Sequence, residues 1–338
     1  MSALGGSATQ HGLAHALVHD VWIVALVILA ALLVELAYRV YLFGVDGLNF
    51  VKLDSVQPLG RSGLLRRSDC PELVFELVPN QDAWFKLVRI RTNAEGQADR
   101  AYPRSKPDGV FRIAVLGSSY SMAAGVESED AWPKVLERRL NARDPGRFEV
   151  INFSVGGYDP RQLLASLKHR AVDYDPDLIL VDVTLNSPRV IRREEVYTTP
   201  YEPQRRGHPA LRSFVLDALL PSSQGRDSLF FLPEDQSRAQ FRRILGQFRD
   251  IARTLQRPLC VVLLQHDPKR AKATAALREE VGRAGVSVID TFPAFANERF
   301  SDLVILKDDI HPNARAQGMF AECIFNALVQ RNLIDRAP

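Results

Sequence analysis

The chain has 338 residues, of which 46% are apolar, so it is long enough for one large domain with a sizeable core and an additional segment. Its 43 Lys and Arg residues nearly balance its 40 Asp and Glu residues, and a net charge of +3 gives no sign of the basic surface that nucleic-acid binding requires. The three cysteines, at positions 70, 260 and 323, show neither paired nor metal-ligand spacing and do not identify a redox compartment.

The first element is an apolar helix near the N-terminus. The run VWIVALVILAALLV, residues 21–34, carries no charge, and its apolar character continues to Phe43 with only Glu35 and Arg39 as charged residues. A stretch of this length can span a bilayer, which needs about 20 residues. A cleaved signal peptide fits poorly because no Lys or Arg precedes the run and no small-residue cleavage site follows it, and a buried soluble helix is the other alternative. We predict a transmembrane helix over residues 21–43, in which Glu35 and Arg39 pair four residues apart while Arg39 reaches the interface.

The charges around this helix say little about which side of the membrane the rest of the chain occupies. No Lys or Arg precedes Arg39, whereas Lys52 and Arg61 follow the helix. The positive-inside rule, taken literally, places the C-terminal bulk in the cytoplasm. The asymmetry is only a few charges, and large domains translocate largely regardless of charge. Topology is therefore left open by the charge pattern.

We divide the chain into a polar segment (1–20), the transmembrane helix (21–43), a membrane-proximal region (44–109) and a regular domain (110–338). In the membrane-proximal region, LVFEL and WFKLVRIRT alternate in the manner of short strands, and YPRSKPDG, residues 102–109, has the composition of a linker.

From residue 110 onward, strand and helix patterns alternate. The strands are predicted in FRIAVLG, FEVINFS, DLILVDVTLN, PLCVVLLQ and VSVIDT, and the helices in DAWPKVLERRLNAR, PRQLLASLKHRAVDY, RAQFRRILGQFRDIARTL, PKRAKATAALREEVGRAG and NARAQGMFAECIFNALVQRNL. Apolar strands that alternate with helices indicate an α/β fold, with a parallel sheet covered on both faces. An insertion at about 187–235 interrupts the pattern.

Groups suited to acyl transfer follow several of these strands. In open parallel sheets, ligands bind outside the carboxyl ends of the strands. Ser119 follows the first strand, and the loop LKDDIHPNA after the fifth strand contains Asp308 and His311. A serine becomes a nucleophile when a base takes its proton, and His311 can be that base. Asp308, three residues before His311, can hold the imidazole in the required tautomer.

The same edge of the sheet offers donors for a developing oxyanion. Gly157 follows the second strand and Asn186 follows the third. The backbone N–H groups of Ser119 and Gly157 and the side-chain amide of Asn186 could supply three hydrogen bonds. We predict an oxyanion hole made of these three residues.

The order Ser, Gly, Asn, Asp-x-x-His resembles that of the SGNH (GDSL-type) hydrolases. The blocks LGSSYSMAAGV, INFSVGGY, VTLN and DDIHPNARAQG, spread over residues 111–334, carry the resemblance. It implies a flavodoxin-like three-layer α/β/α sandwich and a serine hydrolase acting on ester bonds, as an esterase or an O-acyltransferase. It implies no metal and no organic cofactor.

With its N-terminal helix, the chain is also similar to membrane-anchored bacterial members of this family that are associated with polysaccharide modification. That similarity implies an O-acylated surface glycan, such as an acetylated one, as the substrate, and proteins of polysaccharide biosynthesis as partners. It also implies a single-pass protein of the bacterial inner membrane with an extracytoplasmic catalytic domain.

Two positions depart from the family pattern. The Gly-Asp-Ser of the family is here Gly117-Ser118-Ser119, and its Gly-x-Asn-Asp ends here in Ser187. Because both missing acids would neighbour the site, a non-catalytic, membrane-tethered module that binds glycan or organises a complex remains a competing hypothesis. A lipase or thioesterase is a third.

Three further residues are candidates for substrate binding. His266 follows the fourth strand, at the same edge of the sheet as Ser119. Arg192 and Arg193 lie in the insertion, where a long segment often forms a lid or wall of a site. Their guanidinium groups could meet an anionic glycan or headgroup, although a solvated loop explains them equally well.

Overall fold

A computed structural model of the chain describes residues 6–190, 208–220 and 231–335, with side chains from residue 18 onward. The α-helices in these ranges are α1 Gly6–Phe43, α2 Phe50–Leu53, α3 Trp132–Arg143, α4 Pro160–His169, α5 Phe214–Leu219, α6 Glu234–Thr254, α7 Ala271–Arg283 and α8 Ala314–Gln330. The strands there are β1 Leu65–Arg67, β2 Phe75–Leu77, β3 Asp82–Phe85, β4 Val88–Arg91, β5 Phe111–Leu116, β6 Phe148–Asn152, β7 Leu178–Val183, β8 Leu259–Leu263, β9 Ser287–Asp290, β10 Val304–Leu306 and β11 Asp309–Pro312.

Helix α1 contains the predicted membrane segment. Residues 18–48 have a mean hydropathy of 2.6, and none of the most apolar window is buried against the rest of the chain. A run of apolar side chains from Val21 to Val34 is exposed. This excludes the alternative of a buried core helix, and it makes α1 the one helix among the described residues that is long and apolar enough to cross a bilayer.

The sheet has the predicted parallel architecture. Its order is β6-β5-β7-β8-β9, and every neighbouring pair is parallel, with Ile113 opposite both Val150 and Leu178. In order of appearance the strands are arranged 2-1-3-4-5, the flavodoxin-like order. All six side chains of β5 and all six of β7 are buried, because helices cover both faces of the sheet.

Two apolar cores form the layers on either side of the sheet. One packs side chains of α4, α6 and α7 against the sheet, and the other packs α3 and α8, with Trp132 and Phe320 fully buried. The predicted three-layer α/β/α fold is confirmed. The chain passes from β5 to its neighbour β6 on one side and then crosses to β7 on the other side of β5. A ligand is expected in the crevice between the carboxyl ends of β5 and β7, where this change of direction occurs.

The membrane-proximal region packs on this domain through the first core. Leu65, Phe75 and Phe85 of its two hairpins, β1–β2 and β3–β4, are buried there. The hydroxyl of Tyr158 donates to the carbonyl of Phe75 at 2.8 Å. Residues 102–109 are also fixed to the sheet, because the guanidinium of Arg112 donates to two of their carbonyl oxygens. The hairpins therefore stand beside the carboxyl edge and can form a wall of the site.

Candidate active site

The turn after β5 presents Ser119 at the carboxyl edge of the sheet. A Cβ on Gly117 would lie 2.2 Å from Oδ2 of Asp182, so only glycine fits where the strand ends. The N–H of Ser118 donates to the same Oδ2 at 2.9 Å. The chain then turns tightly, with the N–H of Ala124 donating to the carbonyl of Ser119 at 3.0 Å. The strand thus ends in glycine because a buried carboxylate lies directly beneath the turn.

Asp182, on β7, is the buried support of that turn. Its Oδ2 also accepts from the hydroxyl of Ser121 at 2.5 Å, and that hydroxyl accepts from the indole N–H of Trp132 at 3.0 Å. Burial raises the pKa of Asp182 to about 6, against the opposing hydrogen bonds from Ser121 and Ser118. Sequence reasoning missed this residue, although an acid inside the apolar run LILVDV was the available signal.

The side chain of Asp309 contacts the predicted base. Nδ1 of His311 lies 2.5 Å from Oδ1 of Asp309, and the backbone N–H of His311 donates to the same oxygen at 3.1 Å. The prediction that Asp308 orients His311 is therefore corrected to Asp309. The reason is that residues 309–312 form strand β11, not a tight loop, and residues two apart on a strand point to the same side. Asp308 is exposed and precedes the strand.

Lys86 is a third member of this group. Its Nζ lies 2.5 Å from Oδ2 of Asp309 and 3.2 Å from Nδ1 of His311. Because the Asp309 carboxylate is so close to Nδ1, that nitrogen carries a proton, and Lys86 donates to the carboxylate. In the neutral imidazole, Nε2 of His311 is then the nitrogen without a proton, and it can accept one.

Burial works against ionisation of Asp309, but the hydrogen bond and charge of His311, with those of Lys86, outweigh it. Together they hold the pKa of Asp309 well below its usual range. The carboxylate is therefore ionised at any pH at which the protein would act. Lys86 comes from the turn between β3 and β4, which was not considered as part of the site from the sequence.

Two cavities meet at Ser119. An apolar cavity of about 430 Å³ lies between the membrane-proximal region and the sheet, with Leu59, Leu65, Phe85 and Met122 in its walls. A second, more polar cavity of about 400 Å³ is lined by the following residues: Ser118, Asp159, Thr184, Asn186, Ser187, Arg189 and Phe231. Ser119, Gly157 and His311 border both. A bound ester could therefore place its two halves on opposite sides of the serine.

The donors predicted for the oxyanion face this junction. Within the part of the chain that the structure describes, the backbone N–H groups of Ser119 and Gly157 donate to no protein acceptor. Gly157 has φ +88°, a conformation that side chains disfavour, so its exposed N–H depends on glycine. Asn186 is exposed in the polar cavity, and its side-chain amide has no hydrogen bond to the described residues. Two backbone donors and one amide are thus open to a ligand.

Ser119 and His311 line the same two cavities, but the described residues include no direct hydrogen bond between Ser119 Oγ and Nε2 of His311. Hydrogen bonds of this kind are commonly long before substrate binds and tighten in the complex. The structure places both residues at the same two cavities, and proton transfer between them stays a prediction.

His266 does not have the position predicted for it. It is 1% exposed and lines neither cavity, which corrects its assignment to substrate binding. Its Nε2 donates to the carbonyl of Ile310 at 3.1 Å, and burial lowers its pKa to about 4. The ring of Tyr120 packs edge-on against both His266 and His311. His266 is thus a neutral support for the strand that carries His311.

The two arginines proposed for substrate binding, Arg192 and Arg193, lie outside the described residues. Of their neighbours in the insertion, Arg189 and Phe231 line the polar cavity, and the guanidinium of Arg189 lies 4.1 Å from the centre of the Phe231 ring. This part of the insertion is a wall of the candidate site.

Comparison with solved structures gives several similar chains. TesA is 17% identical over 66% of this chain and 99% of its own, with a TM-score of 0.43. A psychrotrophic esterase, EstA from Pseudoalteromonas sp., inhibited by monoethylphosphonate, is 17% identical over 65% and 98%, with a TM-score of 0.41. A catalytic mutant of an acetylxylan esterase from Geobacillus stearothermophilus is 14% identical over 65% and 95%, with a TM-score of 0.44. A search of curated proteins gave no significant match.

The family assignment rests on the sequence profile. The GDSL-like Lipase/Acylhydrolase family matches residues 115–318, which is more than half of the chain and includes every residue from the nucleophile turn to the start of α8. The resemblance found in the sequence is therefore confirmed. The chain belongs to the GDSL-like lipase/acylhydrolase family, as a hydrolase that acts on esters.

Proposed function

We propose that the protein is a membrane-anchored serine esterase or acyl-transfer enzyme that acts on ester-linked acyl groups of a surface polysaccharide or similar glycan. The observation that carries the chemistry is the arrangement around Ser119, where two unused backbone N–H groups and a carboxylate-bound imidazole border the same cavity.

In the proposed reaction, Oγ of Ser119 attacks the ester carbonyl carbon while Nε2 of His311 takes the hydroxyl proton. The N–H groups of Ser119 and Gly157 and the amide of Asn186 hold the oxyanion. The ester C–O bond then breaks, and His311 returns the proton to the departing alcohol. Water repeats these steps to release the acid, or a sugar hydroxyl takes the place of water and becomes acylated.

The polar cavity supports a glycan as the alcohol part of the ester. Sugar hydroxyls need both donors and acceptors, and Asp159, Thr184, Ser187 and Arg189 offer both there. The apolar cavity supports the second candidate, a lipase or thioesterase, because its volume of about 430 Å³ is far larger than an acetyl group needs. A comparison of p-nitrophenyl esters separates the two candidates. The glycan proposal expects the acetate to be preferred to the octanoate, and the reverse preference would favour the lipid-directed candidate.

Covalent labelling of the full-length, detergent-extracted protein with a fluorophosphonate tests the proposal. We expect labelling that is lost in Ser119→Ala and strongly reduced in His311→Ala. Ser118→Ala is the matched control, because Ser118 contributes its backbone N–H to Asp182 and should label normally. Folded protein that does not label would instead favour a non-catalytic glycan-binding or scaffold module.

We also propose that the protein is a single-pass protein of the bacterial inner membrane with its catalytic domain outside the cytoplasm, near the proteins of polysaccharide biosynthesis. A reporter enzyme fused after Pro338 that is active only outside the cytoplasm tests this placement. An inactive reporter, together with a fluorescent cytoplasmic reporter at the same position, would reverse the topology.

A further inference from the structure

The end of the membrane helix is fastened to a part of the insertion. Glu35 and Arg39 of α1 pair at 2.8 Å, as predicted, but Arg39 does not reach the solvent; its side chain is 8% exposed. Its guanidinium donates to the carbonyl oxygens of Ala210 and Arg212, at 3.1 and 2.9 Å. Both charged side chains therefore have hydrogen-bond partners within the protein.

Glu35 completes this attachment from the same helix. Its carboxylate accepts from the hydroxyl of Ser213 at 2.7 Å and from the backbone N–H groups of Phe214 and Val215 at 3.0 and 3.2 Å. The two backbone N–H groups are the first of α5, where a helix offers its N–H groups no partner of its own. The ring of Phe214 packs edge-on against Phe43, with ring centres 5.0 Å apart. Helix α5 is thus held at a defined place beside the end of α1.

Apolar side chains cover the outside of this assembly. Phe43, Leu53, Ala210 and Phe214 form a small buried core between α1, α2 and the insertion. Around that core lie six large apolar residues that are 51–72% exposed, which we call the interfacial face: Leu48, Phe50, Val51, Leu216, Leu219 and Leu220. In α5, Leu216 and Leu219 are three residues apart, so they share one side of the helix. Soluble surfaces rarely expose apolar groups in such a cluster.

The face is continuous with the segment that enters the bilayer. Leu48 and Phe50 lie five and seven residues after the end of α1 at Phe43, and the apolar side chains of α1 are themselves exposed. We propose that the interfacial face lies in the headgroup and upper acyl region of the same membrane that α1 spans, as a second, in-plane attachment of the protein. The proposal rests on α1 spanning the membrane and not on the chemistry proposed for Ser119.

This attachment would set the height of the candidate site above the lipid. Nζ of Lys307, in the turn between β10 and β11, lies 3.2 Å from the centre of the Tyr41 ring on α1. Leu306 packs on the core beneath the interfacial face. The turn that precedes the strand of His311 therefore contacts the end of α1, and on this proposal the apolar cavity lies next to the bilayer surface.

The test uses full-length protein in phosphatidylcholine and phosphatidylglycerol vesicles, with Cys70 and Cys323 replaced by serine and the buried Cys260 retained. An environment-sensitive NBD probe is attached at Leu219→Cys or, as the matched control, at Arg253→Cys. Arg253 is 72% exposed near the end of α6, at the amino edge of the sheet and opposite the edge that carries Lys307. Quenching is measured with lipids that carry a nitroxide high on the acyl chain.

We expect blue-shifted emission at position 219 and at least threefold stronger lipid quenching there than at position 253. Emission and quenching like those at position 253 would overturn the proposal. A blue shift without lipid quenching would overturn it as well, in favour of a protein that covers the face.

A paired variant checks that the face acts as a unit. Leu216→Glu with Leu219→Glu replaces only exposed side chains, so the thermal melt followed by circular dichroism should be unchanged. With the probe at Val51→Cys, we expect this variant to lose most of the lipid quenching. Full quenching at position 51 in the folded variant would show that the leucines of α5 do not hold the protein on the lipid.

Discussion

The carboxylate that orients His311 can be identified by comparing Asp309→Asn with Asp308→Asn. The spacing in the sequence indicates Asp308, whereas the structure places Asp309 at 2.5 Å from Nδ1 of His311. Lys86 makes the first substitution especially disruptive. Its Nζ donates to Oδ2 of Asp309, the oxygen that does not contact His311, and requires an acceptor at that position. An amide at position 309 would therefore direct its oxygen to Lys86 and its NH₂ to His311.

That orientation forces the wrong tautomer on the imidazole. Nδ1 of His311 would have to accept from the amide, so the proton would move to Nε2, which then could not take the proton of Ser119. Loss of the correct tautomer in a serine hydrolase lowers kcat by about 10⁴-fold, or roughly 5 kcal/mol of transition-state stabilisation. We expect Asp309→Asn to lower kcat/KM by about 10³- to 10⁴-fold. Asp308 is exposed, and Asp308→Asn should change it by less than about threefold.

The assay is the hydrolysis of p-nitrophenyl acetate by purified full-length protein, with the rate of fluorophosphonate labelling as a second measure. Adding Lys86→Met to Asp309→Asn frees the amide to rotate and should recover part of the lost rate. If Asp308→Asn lost more than 100-fold while Asp309→Asn stayed within about fivefold of the wild type, the arrangement around His311 described here would be refuted.

Three other expectations concern stability, measured as the unfolding free energy in detergent. Lys86→Met should lose about 1–3 kcal/mol because it leaves the mostly buried carboxylate of Asp309 without its partner. Lys52→Met, which breaks a more exposed ion pair, should lose less than about 1 kcal/mol. Equal losses would contradict the special position of Lys86. Gly117→Ala should lose about 3 kcal/mol and all labelling because its Cβ meets a carboxylate oxygen at 2.2 Å, while Gly318→Ala, with open space, should be neutral or slightly stabilising. The pKa of Asp182 rises from 3.8 to about 6 on folding, so the unfolded chain binds fewer protons between these values and stability falls as pH increases from about 4 to 6. The stability of Asp182→Asn should lack that fall, which is on the order of 3 kcal/mol in the wild type. Stability profiles of the variant and the wild type that run parallel between about pH 4 and 6 would refute the shift.

Local patterns in the sequence are sufficient for the architecture. The apolar strand runs and amphipathic helices report burial directly, because a sheet covered on both faces needs apolar side chains on both sides of each strand. They predicted the five parallel strands and an N-terminal helix long and apolar enough to span a bilayer, although that helix begins at Gly6 and not at residue 21. The rule that ligands bind at the carboxyl ends of such strands also brought Ser119, Gly157, Asn186 and His311 to one cavity, where the structure places them.

The partners of those residues could not be derived in the same way. Lys86 and Asp309 are 223 residues apart, and no local pattern records a contact between a hairpin turn and a distant strand. Which of Asp308 and Asp309 contacts His311 depended on whether residues 309–312 formed a loop or a strand. On a strand, a shift of one residue decides which carboxylate faces the imidazole. The burial of His266 was decided by the packing of Tyr120 and neighbouring aromatic rings.

The sequence by itself determined the class of fold, the long apolar helix near the N-terminus and the residue types gathered at the edge of the sheet, because these follow from periodicity and strand direction. Only the tertiary structure decided which carboxylate meets His311, that Lys86 joins them, and that Asp182 supports the nucleophile turn. These depend on contacts between distant segments, whose geometry is fixed by close packing of the whole domain and not by any one stretch of chain.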